Sequence, residues 1–152
     1  MPKPIKRHPA LQPTSREHHQ GLLLCFKIRE GLKRQVDPSR IKQYVDWFWV
    51  HHLKPHFEFE EKYIFKILPK DNTLIEQALE EHKLLNLLFH QEVDLVETLK
   101  AIEVALYDHI RFEERILFNE IQQIANDKEL SFIEEHQHEE VPCPLWQDEF
   151  WK

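Results

Sequence analysis

Apolar residues recur every three to four positions along most of the chain, the spacing of amphipathic helices rather than the alternation of strands. The first stripe is Leu22, Leu23, Leu24, Cys25, Phe26, Ile28 and Leu32. Thr14 or Ser15 can start that helix, with Glu17 and His18 in its first turn, and it should end near Gln35. Asp37-Pro38 reads as a cap followed by proline at the first helical position. The second helix runs to about Leu68 and contains Pro55, which should bend it. Pro69-Lys70-Asp71-Asn72 supplies a break and a new cap. From Thr73 to Ala125 there is neither Gly nor Pro. One helix of that length would span roughly 80 Å at about 1.5 Å per residue, too long for a compact domain, so a turn is hidden in it. Asp94-Leu-Val-Glu97 has the form of a capping box and places that turn near residues 92–95.

Four helices with short connections make an all-α, up-down-up-down four-helix bundle. Residues 1–13, with four prolines, read as an irregular N-terminal arm, 14–126 as the bundle, and 127–152 as an extension packed on it. That extension predicts a short helix, a Pro-Cys-Pro segment, and the aromatics Trp146, Phe150 and Trp151, which either cap the bundle or serve a homodimer contact. The net charge of −7, with no dense basic cluster, argues against nucleic acid as a partner. No apolar run approaches the roughly 20 residues of a membrane span. MPKPIKRHPALQP is basic but has no apolar centre, so it is not a secretory signal. Cys25 and Cys143 form no motif, which suggests a reducing compartment, most simply the cytoplasm.

What composition leaves over is histidine, of which there are 11. HFEFEEKYIF (56–65) and HIRFEERILF (109–118) match at His, Phe, Glu-Glu and Phe. Residues four apart share a helical face, so His56 and Glu60 point one way, and so do His109 and Glu113. Such a pair can hold one metal ion, or its carboxylate can bridge to a second. Histidines meeting at one level of an antiparallel bundle should straddle their turns evenly. The midpoint of His18 and His56 is residue 37, that of His56 and His82 is residue 69, and that of His82 and His109 falls between 95 and 96. The first two are the Asp37-Pro38 and Pro69 breakers, and the third adjoins the inferred turn. The apolar direction of the first helix lies roughly 20° from His18 and roughly 120° from His19, so His18 faces inward. His52, one turn before His56, can line the same face; His51 points away.

These motifs, with EHH (17–19), HFEFEE (56–61), EEH (80–82) and HIRFEE (109–114), resemble the hemerythrin-like family of HHE cation-binding domains over roughly residues 14–125. The resemblance implies a four-helix bundle around a non-haem di-iron centre. His18, His56, His82 and His109 would be nitrogen ligands, and Glu60 and Glu113 bridging carboxylates, with Glu61 and Glu114 as adjacent alternatives. Oxygen-carrying members have a further histidine four residues after the one on the third helix. Asn86 stands there, positioned to ligate weakly or to hydrogen-bond a bound water. His90 lies too far along to replace that histidine. A ferritin-like site is excluded, because the residues three before His56, His82 and His109 are all leucine.

A lone inward histidine is usually a hydrogen-bonded core residue, and a single HxxxE pair a surface ion pair. Burying the whole set without partners would cost several kcal/mol, which a cation offsets. Imidazole and carboxylate without thiolate suit iron, with zinc or manganese as alternatives. The expected function is binding or sensing of dioxygen or nitric oxide, or iron handling, by a metal-binding domain rather than an enzyme. The competing readings are a redox enzyme that oxidises iron or repairs iron centres, and a metal-free helical interaction module. Cys25 reads as core, Trp47-Phe48-Trp49 as packing, and Tyr63 as packing or a hydrogen bond to a metal-bound group. His136 and His138 read as solvated surface.

Overall fold

The structure, a computed structural model, describes residues 6–137 and 146–152. Five helices account for its regular structure, and no strand occurs among the described residues. Helix α1 is Gln12–Lys33, earlier than Thr14. Leu11 precedes it without a side-chain cap, Pro13 sits in the first turn where its missing N–H is not needed, and Thr14 is buried. Gln35 turns the chain with a φ of 57°. Asp37 then caps α2 as expected, accepting the Ser39 N–H at 3.0 Å.

Helix α2 covers residues 38–67 in segments: α-helical Pro38–Phe48, a π turn Trp49–Leu53, α-helical Lys54–Phe59, a second π turn Glu60–Ile64, and a 3₁₀ turn Phe65–Ile67. The first π turn answers Pro55. Lys54 N–H reaches back to the Trp49 carbonyl, and the widened turn relieves the clash that a proline ring makes with an α-helical carbonyl. The second has a cause in side-chain spacing. His56, Glu60 and Ile64 are all buried, four residues apart. A pure α-helix rotates such a series by about 40° per step, and a wider turn holds it on one face. The same happens on α4, which covers residues 95–124 as Leu95–Phe112, a π turn Glu113–Leu117, and Phe118–Ile124. There His109, Glu113, Leu117 and Ile121 are buried in sequence.

Helix α3 is Thr73–Phe89, capped by Asn72. The α3–α4 turn falls where expected, but the capping box does not form. Asp94 is left-handed (φ 50°) and makes no cap bond; Thr98 Oγ1 instead donates to the Val93 carbonyl at 3.0 Å. A capping box does form at Asn126 and Glu129, which start α5, Asp127–Glu135.

The core divides in two. One cluster, including Leu24, Ile28, Val45, Phe89, Leu99 and Phe150, fills the end near the α1–α2 and α3–α4 turns. The other, including Leu11, Ile64, Phe65, Ile75, Phe118 and Ile133, fills the end under α5. Tyr44 meets Trp146, Phe150 and Trp151 at the first end, so these aromatics cap the bundle. Gly31 makes room for them: a Cβ there would lie 2.9 Å from the Phe150 ring. Cys25 is a core residue, its thiol pushed up to about 12 by burial. Phe48 and Trp49 are buried as packing groups. Tyr63 packs on Phe59, Phe132 and His136, on the α5 side, and not toward the centre. His136 is exposed; Cys143, His138 and the Pro-Cys-Pro segment lie outside the described residues. No described helix is long and apolar enough to cross a membrane.

Candidate metal centre

Between the two hydrophobic clusters lies a layer of buried polar side chains. His18, His56, Glu60, His82, His109 and Glu113 are each no more than 4% exposed. One histidine comes from each bundle helix, and the carboxylates from the π turns of α2 and α4. The four Nε2 atoms face inward around the two carboxylates. His18 Nε2 is 2.9 Å from Glu113 and 3.6 Å from Glu60. His56 Nε2 lies 3.2 Å from Glu60, His82 Nε2 3.3 Å from Glu60, and His109 Nε2 3.2 Å from Glu113. These ligand atoms fall into two sets: His18, His56, Glu60 and Glu113, and His82, His109, Glu60 and Glu113. Within each set all atoms lie within 4.8 Å of one another, and both carboxylates belong to both sets.

Close approach has not satisfied these atoms. His56, His82 and His109 Nε2, both Glu60 oxygens and Glu113 Oε2 are buried without a hydrogen-bond partner. Buried polar groups are nearly always paired, and leaving so many bare costs several kcal/mol. Two cations, each taking two imidazoles and sharing two carboxylates, satisfy all of them, so the donor set fits a binuclear centre.

Without an ion the layer is held together by protons. Burial pushes the His56 imidazole down, but the Glu60 charge and a hydrogen bond to Glu17 outweigh it and raise it to about 9. His109 rises to about 10 against burial, through the charge of Glu113 and a hydrogen bond to Glu81. His18 is also well above the usual imidazole value, as contacts with Glu113, Glu114 and Glu60 overcome burial. Burial opposes ionisation of Glu60, yet the His56 charge and the nearby His18 and His82 imidazoles hold it well below the usual carboxylate range.

The outer nitrogens are also engaged. Three are hydrogen-bonded, His56 Nδ1 to Glu17 at 3.2 Å, His82 Nδ1 to Glu61 at 2.8 Å and His109 Nδ1 to Glu81 at 2.7 Å, while His18 Nδ1 lies 3.2 Å from Glu114 as a charge contact without a hydrogen bond. Glu61 and Glu114 are thus turned outward and do not reach the centre. Glu17 and Glu81 had no role in the sequence reading. Their signal was position: each immediately precedes an inward histidine, about 100° round the helix and on the seam with a neighbour. His19 is exposed, as its direction on α1 implied. Asn86 does not approach the centre. The inward face of α3 is Ile75, Ala78, His82, Leu85 and Phe89, which leaves Asn86 exposed on the rim. His90 is exposed as well, its Nδ1 against the Asn86 carbonyl at 2.7 Å.

The layer is walled unevenly. Phe57 stacks on His82 at 3.8 Å and 15°, and Phe65 closes from the other side at 5.4 Å. A cavity of about 20 Å³ opens beside His18, His56 and His109, bordered by Gly21, His52, Phe57, Leu106 and Ile110, and His82 does not line it.

The sequence profile of the hemerythrin HHE cation-binding domain matches residues 14–121. This chain belongs to that family. No curated protein and no solved structure matches it. The hemerythrin match spans the four-helix bundle and every residue of the buried layer.

Proposed function

We propose that this hemerythrin-family chain is a non-haem di-iron protein that binds or senses dioxygen or nitric oxide. One iron is held by His18 and His56, the other by His82 and His109, with Glu60 and Glu113 shared. The carrying observation is the pair of overlapping ligand sets, because a single ion would leave half of the buried imidazoles bare. Iron supplies a redox-active ion with open positions to such a site. The protein's part is to hold the imidazoles with Nε2 inward, keep the carboxylates dry, and admit only something small. A cavity of about 20 Å³ exceeds the space one water needs and has no room for an organic substrate. That favours a diatomic ligand over an enzyme acting on a larger molecule. The unpartnered donors likewise disfavour a metal-free interaction module. We take residues 14–126 as the working unit and a reducing cytoplasm as its setting, consistent with the buried free thiol of Cys25.

Anaerobic iron loading followed by metal analysis tests the reading. Two irons per chain are expected, and one in His82→Ala. A chain that takes up no iron, or a His82→Ala variant with unchanged content, overturns it.

A further inference from the structure

The outer carboxylates follow an order that the ligand set does not require. Glu17 of α1 reaches His56 of α2, Glu61 of α2 reaches His82 of α3, Glu81 of α3 reaches His109 of α4, and Glu114 of α4 returns to His18 of α1. Three of these contacts are hydrogen bonds, and the fourth, between Glu114 and His18 Nδ1, is a charge contact that completes the circuit. All four carboxylates are part-exposed, from 26% to 46%. An imidazole that donates its Nδ1 proton to a carboxylate presents the Nε2 lone pair inward and becomes a stronger donor.

We propose that Glu17, Glu61, Glu81 and Glu114 are positioning residues that bias the centre toward trivalent ions. The inference rests on the di-metal reading above. Its argument is charge. Two shared and four outer carboxylates surround four neutral imidazoles, with Arg7 offsetting part of the charge at Glu114 from 3.9 Å. Each outer carboxylate adds negative charge beside the ions, which favours the trivalent over the divalent state. The ligand layer lies between two hydrophobic clusters and each outer carboxylate touches one of its histidines, so each one removed should favour the divalent state, to the extent that solvent screening of these part-exposed groups allows.

The test uses the full chain loaded with iron. Glu17→Gln, Glu61→Gln, Glu81→Gln and Glu114→Gln each remove one charge while keeping an acceptor oxygen. Glu58→Gln and Glu80→Gln are controls, exposed neighbours on α2 and α3. Metal content and midpoint potential are measured for each. The expected result is two irons throughout and a raised potential in the four ring variants only. The expected size is about a tenfold change in relative binding of the two oxidation states, or about 59 mV for one electron. Unchanged potentials in iron-loaded ring variants, or equal shifts in the controls, overturn the inference and leave the di-metal reading standing. Absence of iron from the unaltered chain sinks the reading beneath and the inference with it. Should a ring variant shed iron, gallium(III) against zinc(II) competition decides: a selective loss of gallium supports the inference, and equal loss of both overturns it.

Discussion

The segments 56–65 and 109–118 use one backbone device twice. Each starts with an inward histidine, enters a π turn at the shared glutamate, and sends the next glutamate to a histidine on another helix. Each ends in a phenylalanine whose ring lies 5.4 Å from that same histidine: Phe65 on His82, Phe118 on His18. The difference lies one residue after the leading histidine. Phe57 covers His82 face-on and also borders the cavity beside His18, His56 and His109, whereas Ile110 borders that cavity without a ring to cover a histidine. The second π turn is also braced. Phe118 N–H bonds to the Glu113 carbonyl instead of its α-helical partner Glu114, and Arg7 Nη2 donates to that Glu114 carbonyl at 2.7 Å. Shared motif residues thus build the binding layer, the residue after each leading histidine sets how a histidine is covered, and Arg7, outside both segments, holds one of the two turns.

The strongest break should come from the shared carboxylates. Glu60→Ala or Glu113→Ala should lose both ions, whereas His18→Ala should lose one. Metal analysis distinguishes the two patterns, and one lost ion in every variant would argue for separate, unshared sites. The next largest effect is on the metal-free chain in alkali. His56 and His109 have folded values of about 9 and about 10, above an ordinary value of 6.5. Their stabilisation is complete below pH 6.5 and disappears as pH rises through 9 and 10. Thermal melts should fall across that window without metal and stay flatter with it, since bound ions replace the protons. A metal-free melt that rises with pH would reverse this account.

Exchanging the differing residues sharpens the comparison. Ile110→Phe should fill the cavity, slow nitric oxide uptake and cost about 1–3 kcal/mol through overpacking. Phe57→Ile should extend the same cavity toward His82 and quicken uptake at similar cost, and equal uptake rates in both variants would remove the distinction between the two positions. Arg7→Ala should cost about 1–2 kcal/mol from lost charged hydrogen bonds. Amide exchange should quicken around 114–118 and not around 61–65; uniform quickening would deny the local brace. Smallest are His19→Ala and Asn86→Ala, both exposed, expected within about 0.5 kcal/mol and with unchanged metal content.

The bundle and the six inward residues were legible because side-chain period and turn spacing are both written in one dimension. The evenly straddled turns at residues 37, 69 and 95 needed only helix geometry. Other features were less visible. A start at Gln12 depends on Leu11 being buried under a neighbouring helix. The left-handed Asp94 depends on Thr98 reaching the Val93 carbonyl, a bond that no propensity announces. Asn86 was misplaced by analogy, since its outward position follows from Leu85 and Phe89 holding the face of α3. The π turns did leave a trace, in the four-residue spacing of 56, 60 and 64 and of 109, 113, 117 and 121. The outer glutamates depend on contacts between helices, which a single helical pattern does not carry.

The polar layer parts the hydrophobic interior into two nuclei that share few side chains, and this bears on cooperativity. In the apo chain each end has its own reason to collapse, and the middle contributes only protonated pairs to tie them. Calorimetry of that form should show a van't Hoff enthalpy below the measured heat, the mark of ends that melt separately. Loaded with ions that clamp all four helices at mid-height, the same chain should melt as one.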